Sequence, residues 1–286
     1  MSPDPSDRTG SRSHGRRILL IWFLLAVIAT PLVAIVLGPH LPPGDQTVQA
    51  ANQQVINTIL LSLVTPIVLG VAVYVAYVLI MFRDRGDDRA DASVLRGDRR
   101  VTSLWILGTM AIVAFVVPYG TWQWMGPGVG SGSAQGPEPI ARPKGEPLEV
   151  QVIGQQWQFT YRYPSYDGIE TQELVIPEGR YVEFHVTSLD VNHSFWAIGL
   201  GVKADAVNGA DNVVFAKASR RGSFAIRCAE LCGLWHGQMY QKRAKVVREG
   251  AFATWIADQV ERNQDVLAYL PPYAHTYYPQ PFYRGG

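Results

Sequence analysis

The sequence predicts two or three transmembrane α-helices followed by an all-β sandwich or barrel. Three observations carry that expectation. Residues 18–38, 55–82 and 101–125 are apolar runs without one charged side chain. Residues 126–139 read GPGVGSGSAQGPEP, a flexible Gly/Ser/Pro joint. Beyond the joint, short runs of Val, Ile, Phe, Tyr and Thr are separated by Gly, Pro, Asn and Asp, the pattern of many short strands.

Each apolar run reaches the roughly 20 helical residues that a bilayer core requires. A single charge at mid-helix costs about 2.5–3.5 kcal/mol on insertion scales, and none is present. Pro31, Pro66 and Pro118 interrupt the runs, which membrane helices tolerate when neighbours satisfy the freed backbone groups. Arg16 and Arg17 precede the first run, so it reads as a signal sequence or an anchor. Its apolar core exceeds the about 7–15 residues usual for a signal, which favours a retained anchor; a cut after Ala50 is the alternative. Arg8, Arg12, Arg16 and Arg17 place the tail, residues 1–17, on the cytoplasmic side. Arg83, Arg85, Arg89, Arg96, Arg99 and Arg100 place the loop between the second and third runs there too, since interleaved Asp residues count little. Everything after Met125 is then external, whether or not the first run survives, as in a multi-pass protein of a bacterial-type plasma membrane with a periplasmic C-terminal domain.

The external domain is expected over residues 140–250 as an antiparallel sandwich or barrel, with strands at 148–153, 157–163, 173–176, 181–187, 195–200, 212–216, 223–227 and 239–247. In the strand at 181–187, Val182, Phe184 and Val186 alternate onto one face. Residues 251–286 hold a helix at 252–262 and a Pro/Tyr-rich tail from Leu270, including His275. A net charge of +1 across 286 residues excludes a nucleic-acid partner. Two cysteines are too few for a disulfide scaffold, and the absence of C-x-x-C-H excludes a c-type haem.

The chemistry concentrates in Cys228-Ala-Glu230-Leu-Cys232-Gly-Leu-Trp-His236-Gly-Gln-Met239, with His193 upstream in Ser188-Leu-Asp190-Val-Asn-His193-Ser-Phe. Two thiolates, imidazoles and a thioether make a soft ligand set that suits copper, zinc or an iron–sulfur cluster. A closed Cys2His2 zinc site is available, and two cysteines outside a membrane also read as a disulfide. Met239, three residues after an imidazole, tilts the choice to copper, because a thioether has no role in structural zinc. The C-x-x-x-C spacing lets both sulfurs reach one pair of ions from a single loop.

At these residues the sequence resembles subunit II of the haem–copper oxidases, the cytochrome c oxidase family. The matching motif is C-x-E-x-C-x-x-x-H-x-x-M, preceded by D-V-x-H-S-F, with further likeness at Gly154-Gln-Gln-Trp157-Gln-Phe-Thr-Tyr161-Arg-Tyr163 and Gly201-Val-Lys203-Ala-Asp205. The resemblance spans most of residues 55–250 and implies a cupredoxin-like external domain. It implies that Cys228 and Cys232 bridge the two coppers of a CuA centre, with His193 and His236 as terminal imidazoles. Met239 is implied as an axial ligand of one copper and the Glu230 carbonyl of the other. The Glu230 side chain is implied at a magnesium or manganese ion facing the catalytic subunit, and Trp157 as the entry point for electrons from cytochrome c. Lys203 and Asp205 look like a structural ion pair. Departures are Phe159 where the family often has a second Trp, Asn208 where many members have Pro, and Thr102 where many have a Glu marking a proton-uptake route.

The expected role is electron relay from cytochrome c, or another small redox protein, to a haem–copper subunit I beside other oxidase subunits. Nothing in the chain holds an oxygen-reducing site. A CuA subunit of another terminal reductase, such as a nitric-oxide reductase, and a copper-binding or copper-delivery protein are the alternatives. Glu170, Glu173, Glu178 and Glu183 read either as an acidic docking face or as solvated surface.

Overall fold

The computed structural model describes residues 5–42, 44–83, 98–125, 146–267 and 269. The joint at 126–139, most of the basic loop before residue 98 and the tail from Leu270 with His275 lie outside the described residues. The chain divides into two compact units, residues 1–41 with 55–114, and residues 42–54 with 115–286.

The helices are α1 (Pro5–Leu32), α2 (Val48–Met81) and α3 (Arg99–Met125). They cover most of the three expected runs: α1 stops at Leu32, six residues short, but reaches back into the segment read as a tail, α2 stops one residue short, and α3 contains its run. All three are long and apolar enough to cross a membrane. Hardly any of their apolar side chains are buried, a surface stable only in apolar surroundings. Pro31 removes a backbone donor near the end of α1, and the ladder then widens into a π-helical turn, Val33–Leu37. Near Pro66 of α2, the Trp22 indole N–H donates to the Pro66 carbonyl at 2.7 Å. A Cβ on Gly38 would overlap the Thr58 side chain, so only glycine permits that approach.

The second unit is built on ten strands: β1 (Leu148–Gln155), β2 (Gln158–Tyr163), β3 (Ile169–Thr171), β4 (Val175–Pro177), β5 (Tyr181–Ser188), β6 (His193–Ala197), β7 (Val202–Ala206), β8 (Asn212–Lys217), β9 (Gly222–Cys228) and β10 (Tyr240–Val247). They form two five-stranded sheets, β3-β2-β1-β5-β8 and β4-β10-β9-β6-β7. This is the cupredoxin-like architecture, with one correction. The antiparallel expectation fails at two pairs, since β1–β5 and β4–β10 are parallel. After the β1–β2–β3 meander the chain crosses to the other sheet as β4, and it returns beside β1 running in the same direction. Strands β3 and β7 were not anticipated.

Val182, Phe184 and Val186 face the core as their alternation predicts, packed with Phe159, Tyr161 and Phe195. The helix expected at 252–262 is α4 (Glu249–Arg262). It is no separate appendage: Phe252 and Ile256 are buried in the same core, and Phe252 and Trp255 pack on Tyr163.

An unanticipated strap runs from Asp45 to Ala50. The Gln46 N–H donates to Gly199 O at 3.1 Å, and Gln46 O accepts from the Ser219 N–H at 2.8 Å. Thr47 pairs with Ala218, and its hydroxyl donates to Leu200 O at 2.9 Å. The Thr47 hydroxyl oxygen also accepts the Ala50 N–H at 2.9 Å, capping the start of α2. Arg220 pairs with Asp45.

Candidate metal centre

Strand pairing assembles the site. β6 begins at His193, β9 ends at Cys228, and Phe195 lies opposite Cys228, so the imidazole and the thiol meet across neighbouring strands. The loop from residue 229 to 239 is tied at its base by the Cys228 N–H to Met239 O (3.1 Å) and by the Ala229 N–H to Ser194 O (2.9 Å). A short 3-10 turn, His236–Gln238, returns the chain to the centre.

The six anticipated residues come together. Cys228 Sγ and Cys232 Sγ are 3.8 Å apart, and both thiols are free. A disulfide requires about 2.05 Å, so the disulfide alternative does not describe this arrangement. Two sulfurs at that separation, each about 2.3 Å from a shared ion, subtend about 110°, a near-tetrahedral angle. His193 Nδ1 lies 3.9 Å from Cys228 Sγ, and His236 Nδ1 lies 3.4 Å from Cys232 Sγ. Met239 Sδ is 3.8 Å from Cys232 Sγ, and the Glu230 carbonyl oxygen is 3.1 Å from Cys228 Sγ. Each thiol therefore has an imidazole nitrogen beside it and one weaker donor. His193, both cysteines and Met239 are buried, His236 is half-buried and Glu230 is exposed. Among the described residues, His193, Cys228 and Cys232 are the one group of such side chains close enough to share an ion. The donor set fits a soft metal.

The surroundings orient the ligands. His193 Nε2 lies 2.8 Å from Asp190 Oδ1, which leaves Nδ1 free to face the sulfurs. Asp190 in turn accepts the backbone N–H of Gln156 and of Val191, both at 2.7 Å. Burial raises the Asp190 carboxyl, but these hydrogen bonds, His193 first, outweigh it and hold the pKa below the usual carboxylate value. Burial disfavours the His193 imidazolium, yet Cys228 and Asp190 outweigh it and raise its pKa. The thiols split. Burial raises Cys228, but hydrogen bonding from His193 and nearby groups brings it down, while burial and the charge of Cys228 push Cys232 up. A bound cation reverses that repulsion, since it favours both thiolates.

Trp157 is half-buried beneath the loop, its indole N–H donating to Cys232 O at 3.2 Å. The Gln156 side-chain amide donates to the same oxygen at 2.9 Å. Trp235 stands edge-on to Trp157, centroids 6.5 Å apart.

A family model described as cytochrome c oxidase subunit II, periplasmic domain, matches residues 168–242. Cytochrome c oxidase subunit 2 of Thermostichus vulcanus is 28% identical over 294 aligned residues, covering 88% of this chain and 87% of the relative. The crystal structure of the periplasmic domain of subunit II (CoxB) of Bradyrhizobium japonicum is 31% identical, with 42% of this chain and 97% of that one covered and a TM-score of 0.40. A second crystal structure, a mixed disulfide intermediate between a thioredoxin-like protein and subunit II, is 29% identical, with 43% and 96% covered and a TM-score of 0.39.

Over most of its length the chain is similar to cytochrome c oxidase subunit 2, and residues 168–242 match the model of that family's periplasmic domain. Two expectations are corrected. Among the described residues no ion pair joins Lys203 and Asp205; they are two apart on β7, and the Asp205 carbonyl accepts from Asn212. The four glutamates do not lie together as free surface carboxylates. Glu170 pairs with Arg162, Glu173 with Lys245 and Glu178 with Arg221, while Glu183 is buried beside His185. Conversely, Asp190, Gln156, Gly154 and Gly233 serve the site without having been assigned roles. A Cβ on Gly154 would lie 3.0 Å from the His193 ring. All four sit inside stretches that carry the family likeness, which was their only signal.

Proposed function

We propose that this chain is the electron-entry subunit of a cytochrome c oxidase, receiving electrons from cytochrome c or a similar donor outside a bacterial-type plasma membrane and passing them to a haem–copper subunit I. The observation that supports this best is the single loop presenting two free, buried thiols 3.8 Å apart, with an imidazole Nδ1 beside each. Cys228 and Cys232, with His193 and His236, would hold a CuA pair, and Met239 Sδ and the Glu230 carbonyl would be its weaker donors. Such a pair would supply one-electron transfer.

The protein's part is to hold that ligand set still. The Asp190–His193 contact fixes the ring, the β6–β9 pairing fixes His193 against Cys228, and the buried floor excludes water. Trp157, hydrogen-bonded to the Cys232 carbonyl, is the entry contact for the electron. The exposed Glu230 carboxylate extends to a magnesium or manganese ion at the boundary with the catalytic subunit.

The test is a copper count with paramagnetic resonance on the full chain in detergent. Two coppers per chain and a hyperfine pattern from one electron spread over both nuclei are expected. Cys232→Ser removes that pattern. A zinc-only protein, or a single-copper spectrum in the wild type, overturns the proposal.

A further inference from the structure

Strands β1, β2, β5 and β8 are buried on both faces along most of their length. One set of side chains, among them Val150, Val152, Phe184 and Val186, points into the common core. The set that alternates away from it is covered too: Gln151, Ile153, Glu183, His185 and Phe215 are between 1% and 3% exposed. Ile153 and Phe215, though apolar, are not part of the core cluster. A sheet with one packed face shows water its other side unless a second layer covers it. This burial is complete within one chain, so the layer belongs to the chain itself and not to another subunit.

A polar row crosses this outer face. Glu170 Oε2 lies 2.8 Å from Arg162 Nη2, and Arg162 Nη1 donates to Gln151 Oε1 at 3.0 Å. Gln151 stands opposite His185, whose Nδ1 is 2.8 Å from Asp211 Oδ2, and Glu183 stands opposite Phe215. Gln151, Glu183, His185 and Phe215 each make a further interaction besides these. The other described elements of this unit lie elsewhere. Helix α4 turns Phe252 and Ile256 into the core and borders β3 and β4. The strap at Asp45–Ala50 binds Gly199, Leu200 and Ala218. Phe115, Val117 and Trp122 of α3 are exposed. The loop before β8 reaches only the rim, where Asp211 meets His185 and the Thr187 hydroxyl donates to Val207 O.

We propose that the Pro/Tyr-rich tail, residues 270–286, lies across the outer face of the β3-β2-β1-β5-β8 sheet as a third layer of the external domain. The proposal is independent of the copper reading. The tail follows α4, which borders this sheet at β3. Extended at about 3.1 Å per residue it reaches about 50 Å, against about 20 Å for five strands spaced about 4.8 Å apart. Its chemistry matches the face. Tyr273, Tyr277, Tyr278 and Tyr283 offer rings to Phe215 and Ile153, and hydroxyls to the Gln151 amide and the Glu183 carboxylate. Pro271, Pro272, Pro279 and Pro281 favour an extended chain, which reduces the entropy lost on docking, and have no N–H to leave unpaired against a sheet. Residues 126–145 are the competing segment, and they contain no aromatic side chain.

The test replaces Tyr278 by the photoreactive benzoylphenylalanine in the full chain in detergent, mixes isotopically light and heavy copies, and maps the cross-link by mass spectrometry. A link within one copy to residues 181–187 or 212–217 is expected. A link between copies, or one confined to other parts of the chain, overturns the proposal. So does the same probe at Val129 linking to that face instead, which assigns the layer to the joint. A second measurement titrates a free peptide of residues 270–286 onto the chain ended after Tyr269. The shortened chain is expected to bind the peptide at one site, and the intact chain, its face occupied, at least about tenfold more weakly. Phe215→Asp in the shortened chain is expected to weaken peptide binding about tenfold, as loss of a central buried contact does. Equal binding by both chain lengths, or none by either, overturns the proposal. Should the shortened chain fail to fold, the cross-link in the intact chain decides alone.

Discussion

Asp190→Asn isolates the charge that orients His193. One carboxylate oxygen faces the His193 ring at 2.8 Å and the Val191 N–H at 2.7 Å, and the other accepts the Gln156 N–H at 2.7 Å. Asparagine keeps the shape but offers one oxygen, so one side of the group presents an amide N–H to a donor. A hydrogen bond to a charged group contributes about 1.5–3 kcal/mol and a neutral one about 0.5–1.5, so the exchange costs roughly 1–1.5 kcal/mol at the ring. Asp190 has 33% side-chain exposure, and solvent screening pulls the figure toward its lower end. That corresponds to a metal affinity about tenfold weaker, the low end of the range for groups that orient a ligating histidine. Competition against a chelator of known copper affinity, followed by the thiolate-to-copper absorption, measures it. The melting temperature of the metal-free protein separates a site effect from unfolding. Affinity within about twofold of wild type, with the new amide seated where the carboxylate was, refutes the claim that the charge holds the ring.

Gly233→Ala forces a side chain into a left-handed conformation against Gln156 and Trp157; a loss of about 1–3 kcal/mol follows from the strain, read as a lower melting temperature and weaker copper retention. His185 lies in a buried cluster away from the metal loop, with Nδ1 2.8 Å from Asp211 Oδ2 and Nε2 3.3 Å from Glu183 Oε1. Burial lowers its pKa, but the two carboxylates outweigh this and raise it above the ordinary value. The cluster's contribution is therefore complete below about pH 6.5 and is lost as pH rises through the folded-state value. Calorimetry over that interval is expected to show stability falling with pH in the wild type and a flatter profile in His185→Gln; an unchanged slope removes His185 as the cause.

The metal loop was legible because its ligands are local: Cys228 to Met239 is one continuous stretch, and its spacing survives without knowledge of the fold. His193 was legible only through its flanking motif, since its proximity to Cys228 depends on β6 pairing with β9, a long-range fact. The three apolar runs were plain from length and lack of charge. The parallel β1–β5 pair was not, because side-chain alternation looks the same whichever way a neighbouring strand runs. Short strands such as β3 bury too few residues to show a period. Glu183 alone departs from the surface reading of the four glutamates, because charge pattern along a chain says nothing about which face of a strand is covered. The strap at Asp45–Ala50 had no signal at all: Gln46 and Thr47 are ordinary polar residues whose bonds are mostly to backbone more than a hundred positions away.

That strap sets what an excised soluble half would lack. A fragment starting after the third helix carries a notch at Gly199–Gly201 with nothing to fill it: the carbonyls of Gly199 and Leu200 lose their donors, and the Ser219 N–H loses its acceptor. Gly199 and Gly201, small so that Gln46 and Ala50 can approach, become gaps. A graft of residues 44–51 onto such a fragment, or their supply as a free peptide, mends a seam that the intact chain sews from its own far end.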